Sequence, residues 1–269
     1  MNNLSIKWLV LRKGVEKYLI KNFKIFVPSS SGDSKILGLH TKIAINTVFP
    51  LISKLLKILD FNLEIEKANT FCKKRKRISQ SNLLKNKFNY YNSDKSSKHN
   101  YHYIYGSLFK NKEKIKKVLE IGLGTNDENI ISNMGKNGKP GASLRAFKDY
   151  FNKASIYGAD IDKKILFSEN RIKTYFVDQT NDQSLRMLFK KIGNNFDLIV
   201  DDGLHAVHAN INSLNVGLKY LKKGGWMVIE DIPYNAKPIW QVVGFILSHK
   251  FSCLLIEAKS SYLFLINKK

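Results

Sequence analysis

The sequence predicts an α/β protein built on a largely parallel sheet, and three observations predict it. From Tyr101 onward, short apolar runs alternate with helical patterns in a βα rhythm. Two of these runs, Phe196–Val200 and Gly225–Ile229, suit parallel strands buried on both faces, and each stops abruptly at carboxylates. Finally, Phe251–Glu257 and Tyr262–Ile266, separated by Ala258-Lys259-Ser260-Ser261, read as a closing antiparallel pair.

Taken in order, residues 1–70 read as a basic, mainly helical extension. Within it Ile43, Val48, Leu51, Ile52, Leu55, Leu56 and Leu59 approximate one helical face, bordered by Lys42, Lys54 and Lys57. Such a helix packs on the main domain or lies on a membrane surface. Residues 71–100 read as a polar, basic linker, from the run Lys73-Lys74-Arg75-Lys76-Arg77 and the Ser-rich stretch Asn92–Lys98. Residues 101–269 form the predicted domain, with strands at 117–121, 154–159, 172–177, 196–200 and 225–229 and helices at 142–152, 181–191 and 206–222.

Composition narrows the classes. Two cysteines, Cys72 and Cys253, give neither a disulfide framework nor metal-ligand spacing, and no apolar run reaches the ~18 residues of a membrane span. Met1–Lys13 lacks the apolar core of a secretory signal, so the expected location is the cytoplasm, with membrane-peripheral contact through residues 1–70 left open. The net charge of +23 is uneven: residues 1–100 hold 20 of the 45 basic but only 6 of the 22 acidic side chains. A nucleic-acid partner stays open on this charge, although Lys is frequent throughout the chain and no Asn-Pro-Pro-Tyr-like motif accompanies it.

In open α/β sheets ligands sit beyond the carboxyl ends of the strands. The ends here are rich in chemistry: Glu120-Ile121-Gly122-Leu123-Gly124, Gly158-Ala159-Asp160, Asp178-Gln179, Asp201-Asp202-Gly203-Leu204-His205 and Glu230-Asp231. Glycines let a ligand approach the backbone, and an acid at the end of the second strand can accept hydrogen bonds from ribose hydroxyls. Asp160 stands 36 residues beyond Gly124, further than a simple unit requires, because Gly138–Ser143 is inserted ahead of the next helix. These ends, in this order, point to a nucleoside pocket. Clustered carboxylates in so basic a chain point to a divalent cation beside it.

This succession, completed by Leu221-Lys222-Lys223-Gly224-Gly225, resembles class I S-adenosylmethionine-dependent methyltransferases over residues 101–269. Pro140-Gly141-Ala142-Ser143-Leu144, Asp178-Gln179, Asp201–His205 and Ile229-Glu230-Asp231 are similar to the metal-dependent sugar O-methyltransferases that modify macrolides. The resemblance implies a Rossmann-like, seven-stranded, mostly parallel sheet whose C-terminal hairpin is antiparallel. It implies S-adenosyl-L-methionine at Glu120, Gly122, Gly124, Asp160, Asp178, Gln179 and Asp201, and Mg²⁺ or Mn²⁺ at Asp202, Glu230 and Asp231. It further implies His205 as general base, and a glycan or glycosylated small molecule as acceptor. Leu204 departs from the serine often found there. An RNA methyltransferase and a non-catalytic cofactor-binding module remain the alternatives, and the oligomeric state is open.

Overall fold

The structure is a computed structural model that describes residues 44–269. Its strands are β1 (Glu64–Lys67), β2 (Lys117–Ile121), β3 (Ser155–Asp160), β4 (Ser168–Glu169), β5 (Ile172–Phe176), β6 (Phe196–Asp201), β7 (Leu221–Ile232), β8 (Phe251–Glu257) and β9 (Tyr262–Lys268). They form one sheet in the order β1-β8-β9-β7-β6-β2-β3-β5-β4. The helices are α1 (Phe49–Ile58), α2 (Ala68–Lys74), α3 (Ile78–Tyr90), α4 (Asp94–Ser97), α5 (His102–Tyr105), α6 (Ala142–Tyr150), α7 (Asp182–Ile192), α8 (Val207–Tyr220) and α9 (Lys237–Leu247).

The parallel core is β7-β6-β2-β3-β5, and β9 runs against both of its neighbours, β7 and β8. Its register sets the position of the site. Ile121 pairs with both Ala159 and Asp201, and Asp201 pairs with Ile229. The carboxyl ends of β3, β2, β6 and β7 are therefore level, and the residues just beyond them emerge side by side.

Alternation along the strands fills both faces of the sheet. Leu119, Ile121, Ile199, Met227 and Ile229 pack with Leu185 and Phe189 of α7, Leu214 of α8 and Trp240 of α9. Val118, Leu198, Val200, Trp226 and Val228 face the other way, against Phe71, Leu84, Phe88, Ile104, Tyr105, Leu144 and Phe147. Much of that second layer comes from residues 68–108.

The sheet thus has nine strands where seven were expected. The added β1 lies parallel to β8 at one edge, and β4 is a two-residue strand antiparallel to β5 at the other. Residues 71–100 also differ from the linker reading, because they fold as helices on the sheet. The misleading signal is polarity: α3 buries only Ser81, Leu84 and Phe88, a single narrow stripe on an otherwise polar helix. In the basic run, Arg75 lies over the rings of Phe71 at 4.4 Å and Trp226 at 5.1 Å. The extension reading for residues 1–43 lies outside the described residues. Of the predicted apolar face, α1 buries Leu56, while Leu51, Leu55 and Leu59 stay exposed to the described residues because only one side of α1 meets α9.

His102 on α5 is buried, with no hydrogen-bond partner for either ring nitrogen among the described residues. Burial, aided by the charge of Lys85, lowers its pKa to about 4. The unfolded chain therefore binds the proton more tightly, and stability falls as pH drops from about 6.5 through about 4. The loss is complete once pH has fallen below about 4, where the folded imidazole takes up its proton as well. Equilibrium unfolding at a series of pH values should show this slope, and His102→Phe should flatten it.

Candidate active site

The first β-strand end is shaped by a close backbone approach. Asp202 N–H donates to the Ile121 carbonyl at 2.8 Å, and Gly122 N–H donates to the Ala159 carbonyl at 2.8 Å. Gly122 has φ +93°, and a Cβ there would stand 2.1 Å from the Asp202 carbonyl oxygen. Only glycine accommodates both conditions. Beyond it, the Leu123 amide donates to Asp160 Oδ2 at 2.7 Å, and the Asp162 amide donates to Asp160 Oδ1 at 2.9 Å. Asp160 thus anchors the glycine turn, while Thr125 Oγ1 donates to Asp162 Oδ2 at 2.5 Å.

These contacts open a cleft of 330 Å³ lined by Gly122, Gly124, Thr125, Asp160, Val177, Asp178, Gln179, Asp202 and Leu204, among others. Five sequence-predicted cofactor residues are therefore brought together: Gly122, Gly124, Asp160, Asp178 and Gln179. Gln179 also ties two strand ends, donating to Asp201 Oδ1 at 2.6 Å and accepting from the Leu204 amide at 2.8 Å. Glu120 and Asp201 do not line this cleft: both are fully buried, and they point to opposite faces of the sheet. Asp201 accepts from Gln179 and from Asn210 Nδ2 at 3.1 Å; Glu120 accepts from Ser143 Oγ at 2.6 Å.

A second cavity, of 700 Å³, shares Gly122, Gly124, Ser132 and Asp202 with the first and continues to Lys139, His205, Glu230 and Asp231. His205 Nε2 lies 3.8 Å from Asp202 Oδ1 and 3.9 Å from Asp231 Oδ2. One donor atom from each of these three residues falls within 4.8 Å of the others, so they could hold a cation. Two of the three sit in left-handed backbone conformations, His205 at φ +56° and Asp231 at φ +52°. Such strain in non-glycine residues persists only where the surroundings enforce it. At Asp231 the pairing of β7 with β9 slips between Ile229 and Ile232, which turns the carboxylate out of the ladder.

The segment between α3 and β2 supplies the other contacts. Tyr101 donates to Asp231 Oδ1 at 2.5 Å, as does Ser261 at 3.0 Å, leaving Oδ2 to face His205. Lys95 donates to Asp202 Oδ2 at 2.7 Å, leaving Oδ1 to face His205. Glu230 is different. One of its oxygens accepts from Lys95 and the other from Tyr105, so this predicted ligand stands outside the converging trio. Burial and the charge of Asp202 push the Glu230 carboxyl well above the carboxylate range. Burial disfavours the Lys95 ammonium, but Asp202, Glu230 and Glu120 outweigh it and hold Lys95 charged. Burial would also raise Asp231, yet His205, His99 and the Tyr101 hydrogen bond hold it below its usual value.

The donor set suits a hard divalent ion. Asp202 Oδ1 and Asp231 Oδ2 have no hydrogen-bond donor among the described residues. Four acidic side chains cluster here (Glu120, Asp202, Glu230 and Asp231) and one ammonium, Lys95, pairs with the first three; carboxylate oxygens are what Mg²⁺ and Mn²⁺ prefer.

The structure of MycE methyltransferase in complex with Mg and SAH superposes with a TM-score of 0.56 at 24% identity, covering 69% of this chain and 54% of that one. The fold is that of a class I methyltransferase. In sequence the chain is 33% identical over 150 residues to the 8-demethyl-8-alpha-L-rhamnosyl tetracenomycin-C 2'-O-methyltransferase of Streptomyces olivaceus, spanning 55% of this chain and 37% of the relative. It is 35% identical over 116 residues to the demethylmacrocin O-methyltransferase of Streptomyces fradiae, spanning 43% of this chain and 27% of that protein. The match therefore spans well under half the length of these curated relatives. No family model matches the chain.

Several residues of this methyltransferase-fold site escaped sequence reasoning. Lys95 was hidden in a segment read as linker, Tyr105 in the run Tyr101–Tyr105 just ahead of the first core strand, and Asp162 behind Asp160. For Lys95 and Tyr105 the available signal was the density of Ser, Asp, Lys, His and Tyr over residues 93–105, just ahead of the first core strand.

Proposed function

We propose that this chain is an S-adenosylmethionine-dependent O-methyltransferase, metal-assisted, acting on a sugar hydroxyl of a glycan or glycosylated small molecule. The single observation that carries the proposal is the pair of adjoining cavities with Gly122 and Asp202 at their border. One is lined as a nucleoside cleft and the other by Asp202, His205 and Asp231. The likeness to sugar O-methyltransferases supports it.

In this reading S-adenosylmethionine supplies a sulfonium methyl, and a divalent ion supplies Lewis acidity toward the acceptor hydroxyl. Asp178 and Gln179 hold the adenine end of the cleft, and Asp160, through the glycine turn it anchors, holds the ribose end. Asp202 and Asp231 bind the ion through the oxygens that Lys95 and Tyr101 leave free. His205 accepts the hydroxyl proton at Nε2, the ring atom that faces both carboxylates. Loss of that proton to His205 would turn a poor nucleophile into a competent one beside the cofactor cleft.

The test is transfer of labelled methyl from S-adenosylmethionine to a panel of deoxysugar glycosides and, in parallel, to RNA. Transfer to glycosides with binding of S-adenosylhomocysteine is expected. Transfer to RNA alone would overturn the acceptor assignment, and absence of S-adenosylhomocysteine binding would overturn the enzyme assignment.

A further inference from the structure

The proposed function leaves one buried charge unused. Lys95 Nζ is almost wholly enclosed, its side chain 3% exposed, and it touches three carboxylates: Asp202 Oδ2 at 2.7 Å, Glu120 Oε1 at 3.1 Å and Glu230 Oε2. Of the three N–H donors of the ammonium, one goes to Asp202 and one to Glu230, and Glu120 Oε1 completes the cluster as an ion-pair contact. The acids come from the ends of three adjacent strands, β2, β6 and β7, and the lysine from α4, which packs from outside the sheet. Oxygens from three carboxylates converging on one point form a cation cage, and the cation in it is part of the chain.

Asp202 belongs to two such clusters. Its Oδ2 faces Lys95, and its Oδ1 faces His205 Nε2 at 3.8 Å, on the side of Asp231. A carboxylate shared in this way is how paired-metal sites bridge two ions about 3.5–4 Å apart. We propose that Lys95 is a built-in second cation: its ammonium fills the inner position of a two-cation site, so that the chain takes one divalent ion, at Asp202 and Asp231, and not two. Lys95 is a positioning residue in this scheme, since it acts through Asp202 and Glu230. It fixes which oxygen of Asp202 is presented to the outer ion, and it keeps Glu230 and Glu120 from becoming ligands of a second one. A resident ammonium neutralises charge but has no vacant coordination position, so it supplies no Lewis acidity to the acceptor.

The inference rests on the metal reading of the outer position, and one experiment separates the two. Mn²⁺ binding to the full chain is followed by electron paramagnetic resonance of the free ion, for the wild type and for Lys95→Ala, which empties the cage. One equivalent for the wild type and two for K95A is the expected result. None for the wild type and one for K95A would support the inner cage and refute the outer site. One equivalent for both, at unchanged affinity, would overturn the role of Lys95 while leaving the outer site standing. None for either overturns both. Removing the ammonium leaves buried Glu120 and Glu230 and half-buried Asp202 without their cation, which makes K95A prone to unfolding. The double variant K95A/E120Q, with one buried charge fewer and Asp202 and Glu230 still present, carries the same comparison. A count of two equivalents supports the proposal there, and an unchanged count of one overturns it.

Discussion

Replacing His205 with asparagine is expected to lower methyl transfer roughly 10²–10⁴-fold while leaving the affinity for S-adenosylhomocysteine unchanged. His205 sits at φ +56°, a conformation that asparagine tolerates better than most residues, so His205→Asn removes the imidazole without adding strain. Its Nε2 faces Asp202 Oδ1 and Asp231 Oδ2 and does not line the nucleoside cleft. A loss confined to turnover, measured by labelled methyl transfer beside calorimetric cofactor binding, is what a proton acceptor gives. An unchanged rate would remove His205 from the chemistry, and a matching loss of cofactor affinity would point to a structural effect.

Gly122→Ala is expected to damage the fold and the cleft together. The new methyl would stand 2.1 Å from the carbonyl oxygen of Asp202, which is backbone and cannot swing away, and φ +93° is itself unfavourable for alanine. The conformational term alone is about 1–3 kcal/mol. Relief of the clash would push the end of β6 away from β2, breaking the hydrogen bond from the Asp202 amide to the Ile121 carbonyl. Because Asp202 is shared by both cavities, S-adenosylhomocysteine affinity should fall by at least about tenfold, ~1.4 kcal/mol, and divalent-ion affinity should fall with it. A thermal melt and two calorimetric titrations check this. Near-wild-type values in all three would show that the turn is less constrained than the geometry requires.

Much of the architecture was legible in the sequence because the information is local. The short apolar runs Leu198–Val200 and Trp226–Ile229 suit strands buried on both faces, and their carboxylate endings fall where a parallel sheet presents its ligands. Glycines 122 and 124 marked the turn for the same reason. The unreadable part was long-range. Nothing in Ser93–Tyr105 announces that Lys95 will reach residues 25, 107 and 135 positions away, or that Tyr101 will meet Asp231. A buried lysine and a solvated one look alike until the acids around it are placed. For Glu120 and Asp201, strand-end position suggested contact with the ligand. The pleat decides otherwise, turning Glu120 into one face of the sheet, where Ser143 donates to it, and Asp201 into the other, where Gln179 and Asn210 do. Residues 71–100 were obscured by the polarity of α3, whose three buried side chains suffice to seat it against α5 and α6.

The central claim is that Asp202 and Asp231 bind a divalent ion that the transfer step requires. It is tested most directly by measuring methyl transfer to a glycoside acceptor after chelation, and again after Mg²⁺ or Mn²⁺ is restored. The account predicts that chelation abolishes transfer, that the added ion restores it in the wild type, and that Asp231→Asn is not restored. Transfer that continues undiminished in chelator would contradict it.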